Sequence, residues 1–320
     1  MLFVKRILKW FVVSFLLIFV FVSALPYIFP LQEGESFMAR RDYFANSQID
    51  EIEGVWIHYR VFEAQGKKKG NILLIHGFSG STFSWRKNVS FLQERGYQVL
   101  CIDLPAFGYS DRLPTWDHSV ENRANIAWQV AEKVSPEESW AIAGHSMGAS
   151  VALAMGQLKS EKTQKIFCVD GLFFNHTQSG FFGDLLISYP PIQRWAEVLL
   201  QSYFSKKSKF KEILHSAYSQ EPDQEAIEGY LAPMLVRGTA TAILSSMRAK
   251  SNFKLDYQLV SPKMVLIWGK NDLWISPNIA EDWHKNHTQV PFISIEKAGH
   301  CPMETHPQQF NGILEKYLNL

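Results

Sequence analysis

Trp140-Ala141-Ile142-Ala143-Gly144-His145-Ser146-Met147-Gly148-Ala149-Ser150 is the stretch on which the reading of this chain turns. An apolar run ends in Gly-x-Ser-x-Gly and passes at once into a segment rich in Ala and Met. The pattern predicts a strand that turns sharply into a helix and lifts a serine hydroxyl above a sheet. Glycine answers a steric need there. The serine takes a strained backbone conformation, and the residues two before and two after it, Gly144 and Gly148, crowd each other. Five such letters would arise by chance in roughly one chain in ten of this length. Their place between strand and helix carries the reading.

Working outward, Asn71 to Ile75 is a largely apolar run, as in a strand buried on both faces, and it leads into His76-Gly77-Phe78-Ser79-Gly80-Ser81. An early strand is expected at Val55–Phe62 and a helix over 84–95. The strand 98–102 follows, then the turn-rich Asp103-Leu104-Pro105-Ala106-Phe107-Gly108-Tyr109-Ser110-Asp111 and a helix over 118–134. Past Ser146 the helix extends to about Lys159, and Lys165 to Val169 forms another strand. Alternation at this spacing predicts a parallel sheet with helices on both faces.

The rhythm stops from about Leu172 to Leu259, a mainly helical stretch carrying Phe173, Phe174, Phe181, Phe182, Tyr189, Trp195, Tyr203 and Phe204. It resumes with the strand Met264–Trp268, a helix over 278–286, the strand Phe292–Ile295 and a closing helix over 307–318. The expected division is an anchor or signal sequence at 1–31, core at 45–171, a helical cap insertion at 172–259 and core again at 260–320.

Composition sets the bounds. At 320 residues the chain can bury a full core, and 47% hydrophobic with 20% charged residues is an ordinary globular balance. A formal charge of +1 gives no reason to expect nucleic acid or a polyanion. Cys101, Cys168 and Cys301 have no metal-ligand spacing, and Cys101 and Cys168 read as buried thiols in strands, with redox state left open. At the N-terminus Lys5, Arg6 and Lys9 precede an uncharged run from Trp10 to Leu31. That run is longer than a signal-peptide core and close to the roughly 20 residues of a membrane-spanning helix. With Glu33, Arg40, Arg41 and Asp42 mixed beyond it, the positive-inside rule puts the N-terminus in the cytoplasm and the remaining chain outside, the periplasm in a bacterium. Cleavage after Val22-Ser23-Ala24, giving a secreted protein, is the alternative.

Serine hydroxyls need a base beside them, itself oriented by a carboxylate. Asp272 follows one late strand and His300 the next, so the chain order is Ser146, Asp272, His300. In a parallel sheet such loops share the carboxyl edge, where ligands bind. Asp170, which also follows a strand, is the rival acid.

On these residues the chain resembles the α/β-hydrolase superfamily of serine esterases and lipases, membrane-anchored monoacylglycerol lipases and related carboxylesterases among them. The resemblance implies an eight-stranded, mostly parallel sheet with a helical cap. It makes Ser146 the nucleophile, His300 the general base and then acid, and Asp272 the residue that orients the imidazole. It puts an oxyanion hole at the backbone N–H groups of Phe78 and Met147, supported by His76, Gly77, Gly144 and Gly148. His145 reads as a packing neighbour. Two departures, Ala106 and Ala149 where glycine is frequent, carry no chemistry. Implied are hydrolysis of carboxylic esters of hydrophobic acyl groups, small acylglycerols first, a membrane-partitioned substrate, and neither metal nor organic cofactor. Alternatives are an esterase or thioesterase on groups bound to acyl carrier protein, met by Lys206 to Lys211, and a catalytically silent ligand-binding protein. A reporter active only outside the cytoplasm, fused to the C-terminus, is expected to be active; a silent reporter overturns this topology.

Overall fold

The computed structural model describes residues 2–31, 34–40, 43–172, 189–204 and 206–319. One eight-stranded sheet is formed by β1 (Ser47–Ile52), β2 (Val55–Phe62), β3 (Gly70–Ile75), β4 (Tyr97–Ile102), β5 (Trp140–His145), β6 (Thr163–Val169), β7 (Met264–Gly269) and β8 (Phe292–Ile295). Their order is β1-β2-β4-β3-β5-β6-β7-β8. Pairs β1/β2 and β2/β4 are antiparallel, and the others are parallel. Strands β4, β5 and β7 are buried along their whole length, as their largely apolar sequences suit strands covered on both faces. β1, with the mostly polar sequence Ser-Gln-Ile-Asp-Glu-Ile, is a strand that the apolar runs did not reveal. It is an edge strand, where polar side chains face water at little cost.

Among the helices of the core, α1 (Leu2–Ala24) is followed by α2 (Val89–Glu94), α3 (Val120–Val134) and α4 (Met147–Leu158). The single helix expected over 84–95 is instead a 3₁₀ turn, Thr82–Trp85, followed by the short α2. The Ser81 side chain caps that turn by accepting from the Phe83 N–H at 3.2 Å. α3 starts as a capped helix should, with Ser119 accepting from the N–H of Asn122. Between β6 and β7 lie α5 (Pro190–Phe204), α6 (Lys207–Tyr218), α7 (Gln224–Met234), α8 (Thr239–Arg248) and the short α9 (Tyr257–Val260). Of the cap aromatics, Phe173, Phe174, Phe181 and Phe182 lie outside the described residues. The chain closes with α10 (Pro277–Lys285), α11 (Pro302–Thr305) and α12 (Pro307–Leu318).

α1 overlaps the span Phe3–Tyr27, whose most apolar stretch of 18 residues has a mean hydropathy of 2.4 and no buried residue. It is the one helix among the described residues long and apolar enough to cross a membrane. Its C-terminal end meets α5: the Trp195 indole N–H donates to the Val22 carbonyl at 3.0 Å, and Phe19 stacks on Tyr189. Of the flanking charges, Glu33, Arg41 and Asp42 lie outside the described residues.

A buried carboxylate organises the loop after β4. Asp103 accepts from the N–H groups of Thr82 (2.6 Å) and Tyr109 (2.8 Å), and His58 Nδ1 lies 2.7 Å away. Burial alone would raise the Asp103 carboxyl, but His58 and these donors hold it below the usual carboxylate range. Gly108 passes so close, at φ +56°, that a Cβ there would overlap the carboxylate. Ala106, in the same loop, sits at φ +79° where glycine is the unstrained choice. Its methyl is therefore not neutral, as the sequence alone suggested. Ala106→Gly is expected to raise stability by about 0.5–1 kcal/mol, and Ala106→Val to lower it by about 2 kcal/mol or more. Denaturant midpoints of the two variants check both signs.

Candidate active site

Ser146 occupies the turn between β5 and α4 at φ +52°, ψ −115°, a region that residues with side chains rarely enter. Packing enforces it. A Cβ on Gly144 would overlap the Gly148 carbonyl, and one on Gly148 would come within 2.6 Å of the Ile75 and His76 carbonyl oxygens. Gly77 lies under the same turn, where a Cβ would come 2.7 Å from His145 Nδ1. The Ser146 N–H donates to the Val169 carbonyl at 2.8 Å, which fixes the turn to the end of β6.

His300 and Asp272 come from loops after β8 and β7, and tertiary packing joins them. His300 Nδ1 is 2.8 Å from Asp272 Oδ2, with both groups buried. The other Asp272 oxygen accepts from the N–H groups of Trp274 (2.8 Å) and Ile275 (3.0 Å). Burial would raise the Asp272 carboxyl, yet the bond from His300, its charge and the two backbone donors leave it below its ordinary value. An ionised Asp272 can only accept, so Nδ1 carries the proton and, in the neutral imidazole, the lone pair lies on Nε2. The Trp274 ring stacks on the imidazole at 5.2 Å.

Asp170 sits against this pair in a different state. Its Oδ1 accepts from the Gly269 N–H at 2.8 Å. Burial, the charge of Asp272 and a hydrogen bond to it push the Asp170 carboxyl well above its ordinary value. The charge of Asp272 opposes a second ionised carboxyl in such a site, so Asp170 keeps its proton. Asp170, Asp272 and His300 have ligand-type atoms within 4.8 Å of one another, and the bond from His300 to Asp272 lies within that cluster.

The remaining histidines are occupied. His76 Nε2 accepts from the Leu104 N–H at 3.0 Å, so Nδ1 donates to the Gly77 carbonyl at 2.6 Å, and burial lowers its pKa. His145 Nε2 donates to the His300 carbonyl at 2.7 Å; burial and then the His300 charge push it down to about 3. Both rings are neutral braces. Behind His300, buried Glu304 receives Arg86, Tyr218 and Tyr230, so α6 and α7 are bonded to α11, which starts two residues after the imidazole.

Two cavities meet at Ser146 and Phe78. One, of about 530 Å³, contains His300 and is walled by Phe204, Phe210, Ile213 and Leu214 from α5 and α6. Its neighbour, of about 420 Å³, is lined by Met147, His118, Arg123 and Ser246. Phe78 is 39% exposed and packs edge-on against Phe107. Sequence reasoning passed over Arg123 and His118. A signal existed: Arg123 lies in register with Ala127, Val130 and Ala131, a charge on the apolar stripe of α3.

The family model for the alpha/beta hydrolase fold matches residues 70–307. An uncharacterised hydrolase of Bacillus subtilis, YugF, is 24% identical over 262 residues, 80% of this chain and 92% of its own. A pimeloyl-[acyl-carrier protein] methyl ester esterase of Nitrosomonas europaea is 23% identical over 247 residues, 75% of this chain and 92% of its own. Among solved structures, a bacterial membrane phospholipase A superposes with a TM-score of 0.65 at 21% identity, covering 98% of both chains.

Asp170→Asn tests the protonation state, because an amide can donate to Asp272 and accept from Gly269 as the acid does. A carboxyl raised in the folded state stabilises fully below its unfolded pKa of about 4 and loses that contribution as pH rises. The stability of Asp170→Asn relative to wild type should therefore increase from pH 4 to pH 8. A pH-independent difference, read from melting temperatures, would show that Asp170 is ionised.

Proposed function

Because this chain belongs to the α/β-hydrolase family, we propose that it hydrolyses carboxylic esters of hydrophobic acyl groups through an acyl-enzyme on Ser146. The observation that carries this reading is the 2.8 Å bond from His300 Nδ1 to a buried, ionised Asp272, in a cavity shared by His300 and the strained Ser146.

In the proposed reaction Ser146 Oγ attacks the ester carbonyl carbon while its proton passes to His300 Nε2. The carbonyl electron pair moves onto oxygen, which the N–H groups of Phe78 and Met147 receive. One such donor is worth about 3–4 kcal/mol in the transition state. Collapse of the tetrahedral intermediate breaks the bond to the alcohol oxygen, which takes the proton from His300. Water then attacks the acyl-serine, losing a proton to His300, and the acid leaves as Ser146 regains its hydrogen. Asp272 holds the imidazole in the tautomer that both halves require, and His76 fixes the loop bearing Phe78.

Apolar walls from Phe204, Phe210, Ile213 and Leu214 support an acyl chain in the larger cavity. The anchor helix, bonded to α5 of the cap segment, supports a substrate drawn from lipid, with small acylglycerols first. The similarity to a membrane phospholipase A agrees with a lipid ester. We place the hydrolase domain outside the cytoplasm, on the positive-inside argument. A substrate on acyl carrier protein is the second reading, favoured by the name of one relative. Against it, Lys207, Lys209 and Lys211 each pair with a glutamate (Glu228, Glu212 and Glu221), which leaves little free positive charge for an acidic carrier.

Labelling by a fluorophosphonate is the direct test. Wild type should label and Ser146→Ala should not; a folded wild type that resists labelling would favour a silent binding protein. On a series of p-nitrophenyl esters, Asp272→Asn should lose about 10⁴-fold in kcat, while Asp170→Asn keeps activity within about tenfold. The reverse pattern reassigns the acid.

A further inference from the structure

The smaller cavity beside Ser146 contains a buried positive charge that the fold does not neutralise. Arg123 is 5% exposed and lines this cavity. Of the five N–H donors on a guanidinium, two have acceptors: Nη1 donates to Met147 Sδ at 3.2 Å and Nη2 to Ser246 Oγ at 2.6 Å. Neither acceptor is charged, Nε has no partner, and no carboxylate pairs with Arg123 among the described residues. Asp117 acts on it only at longer range. Burial lowers its pKa to about 10, so it remains a cation at neutral pH.

Other buried arginines have structural explanations. Arg112 donates to the carbonyls of Phe107, Ser110, Gly108 and Pro233 and to Thr239, which ties the Asp103 loop to the α7–α8 region. Arg86 pairs with Glu304. A desolvated charge without such partners is strongly unfavourable for folding, and it is kept where a ligand supplies the missing countercharge.

Next to it, His118 is 3% exposed and lines the same cavity. Its Nε2 lies 3.0 Å from the Leu113 carbonyl and donates to it, and Nδ1 has no partner. Burial and then the Arg123 charge push the ring down to about 4, so it is neutral at pH 7. Ser119 and Val120, the start of the fifteen-residue α3, complete this wall. The positive end of that helix dipole favours an anion at the same place.

We propose that Arg123, with Ser246 and the start of α3, binds an oxyanion carried by the substrate, a carboxylate or a phosphate, while Ser146 attacks the ester. This rests on the ester-hydrolase reading and narrows it. The substrate is then amphiphilic and charged, with an apolar portion in the cavity of Phe204 and Phe210 and its anion in the cavity of Arg123.

The test uses the full-length protein in neutral detergent and two matched pairs of esters. Mono-p-nitrophenyl adipate against p-nitrophenyl hexanoate places a carboxylate on the acyl side. A butyryl ester of glycerol 3-phosphate against monobutyrin places a phosphate on the alcohol side. In at least one pair the charged ester should have about tenfold or more higher kcat/KM. Arg123→Gln should reduce that charged-to-neutral ratio about tenfold, and Arg123→Lys should restore part of it. Because a ratio is read, general damage to the site cancels. Ratios at or below one in both pairs, or a ratio unchanged by Arg123→Gln, overturn the proposal. Calorimetry on Ser146→Ala with adipate, hexanoate, glycerol 3-phosphate and glycerol separates the two ideas. Selective binding of an anion that is lost in Arg123→Gln supports the subsite even if no ester is cleaved, in which case only the hydrolase reading falls.

Discussion

Close packing of backbone at Ser146 is the constraint on which the site depends. Gly144, Gly148 and Gly77, together with Gly171 at the end of β6, all approach the turn so closely that none has room for a Cβ. Such contact holds a serine at φ +52° because the surrounding strands leave it no relaxed alternative. It also draws three loops, after β3, β5 and β6, into one knot. The backbone N–H groups of Phe78 and Met147, which belong to two of these loops, inherit their placement from it. Rigidity here does not come from the serine itself.

A second constraint is electrostatic. Two carboxyls and an imidazole share a buried site, and the protein resolves the conflict by giving the carboxyls different protonation states. Asp272 accepts from His300, Trp274 and Ile275 and is ionised, whereas Asp170 keeps its proton. Asp103 repeats the first of these arrangements below the loop that carries His76, with His58 as its partner. Arg123 departs from the pattern, since no acid among the described residues answers it.

The helices between β6 and β7 connect these features to the membrane-type helix. α5 contributes Phe204 to the larger cavity and accepts the end of α1 through Trp195 and Tyr189. The bonds of Glu304 to Tyr218 and Tyr230 fasten α6 and α7 to α11, directly after His300. One wall of the pocket is thus continuous with the segment apolar enough to enter a bilayer.

How much of this was legible in the chain depends on how local each cause is. Apolar runs located seven strands and missed β1, because an edge strand with one wet face has no such run. The Gly-x-Ser-x-Gly turn was legible because its steric demand acts within five residues. Residue types also brought Asp170 and Asp272 forward together, and they could not separate them, since both follow strands. Through-space contacts separate them: the hydrogen bond of His300 goes to Asp272, while the N–H of Gly269 and the charge of Asp272 keep Asp170 protonated. Likewise the positive φ of Ala106 follows from the packing around Asp103. Local sequence therefore determined the elements, their order and the candidate chemistry. Only the tertiary structure decided protonation, pairing and the uncompensated charge of Arg123, because each depends on which distant groups burial brings within reach.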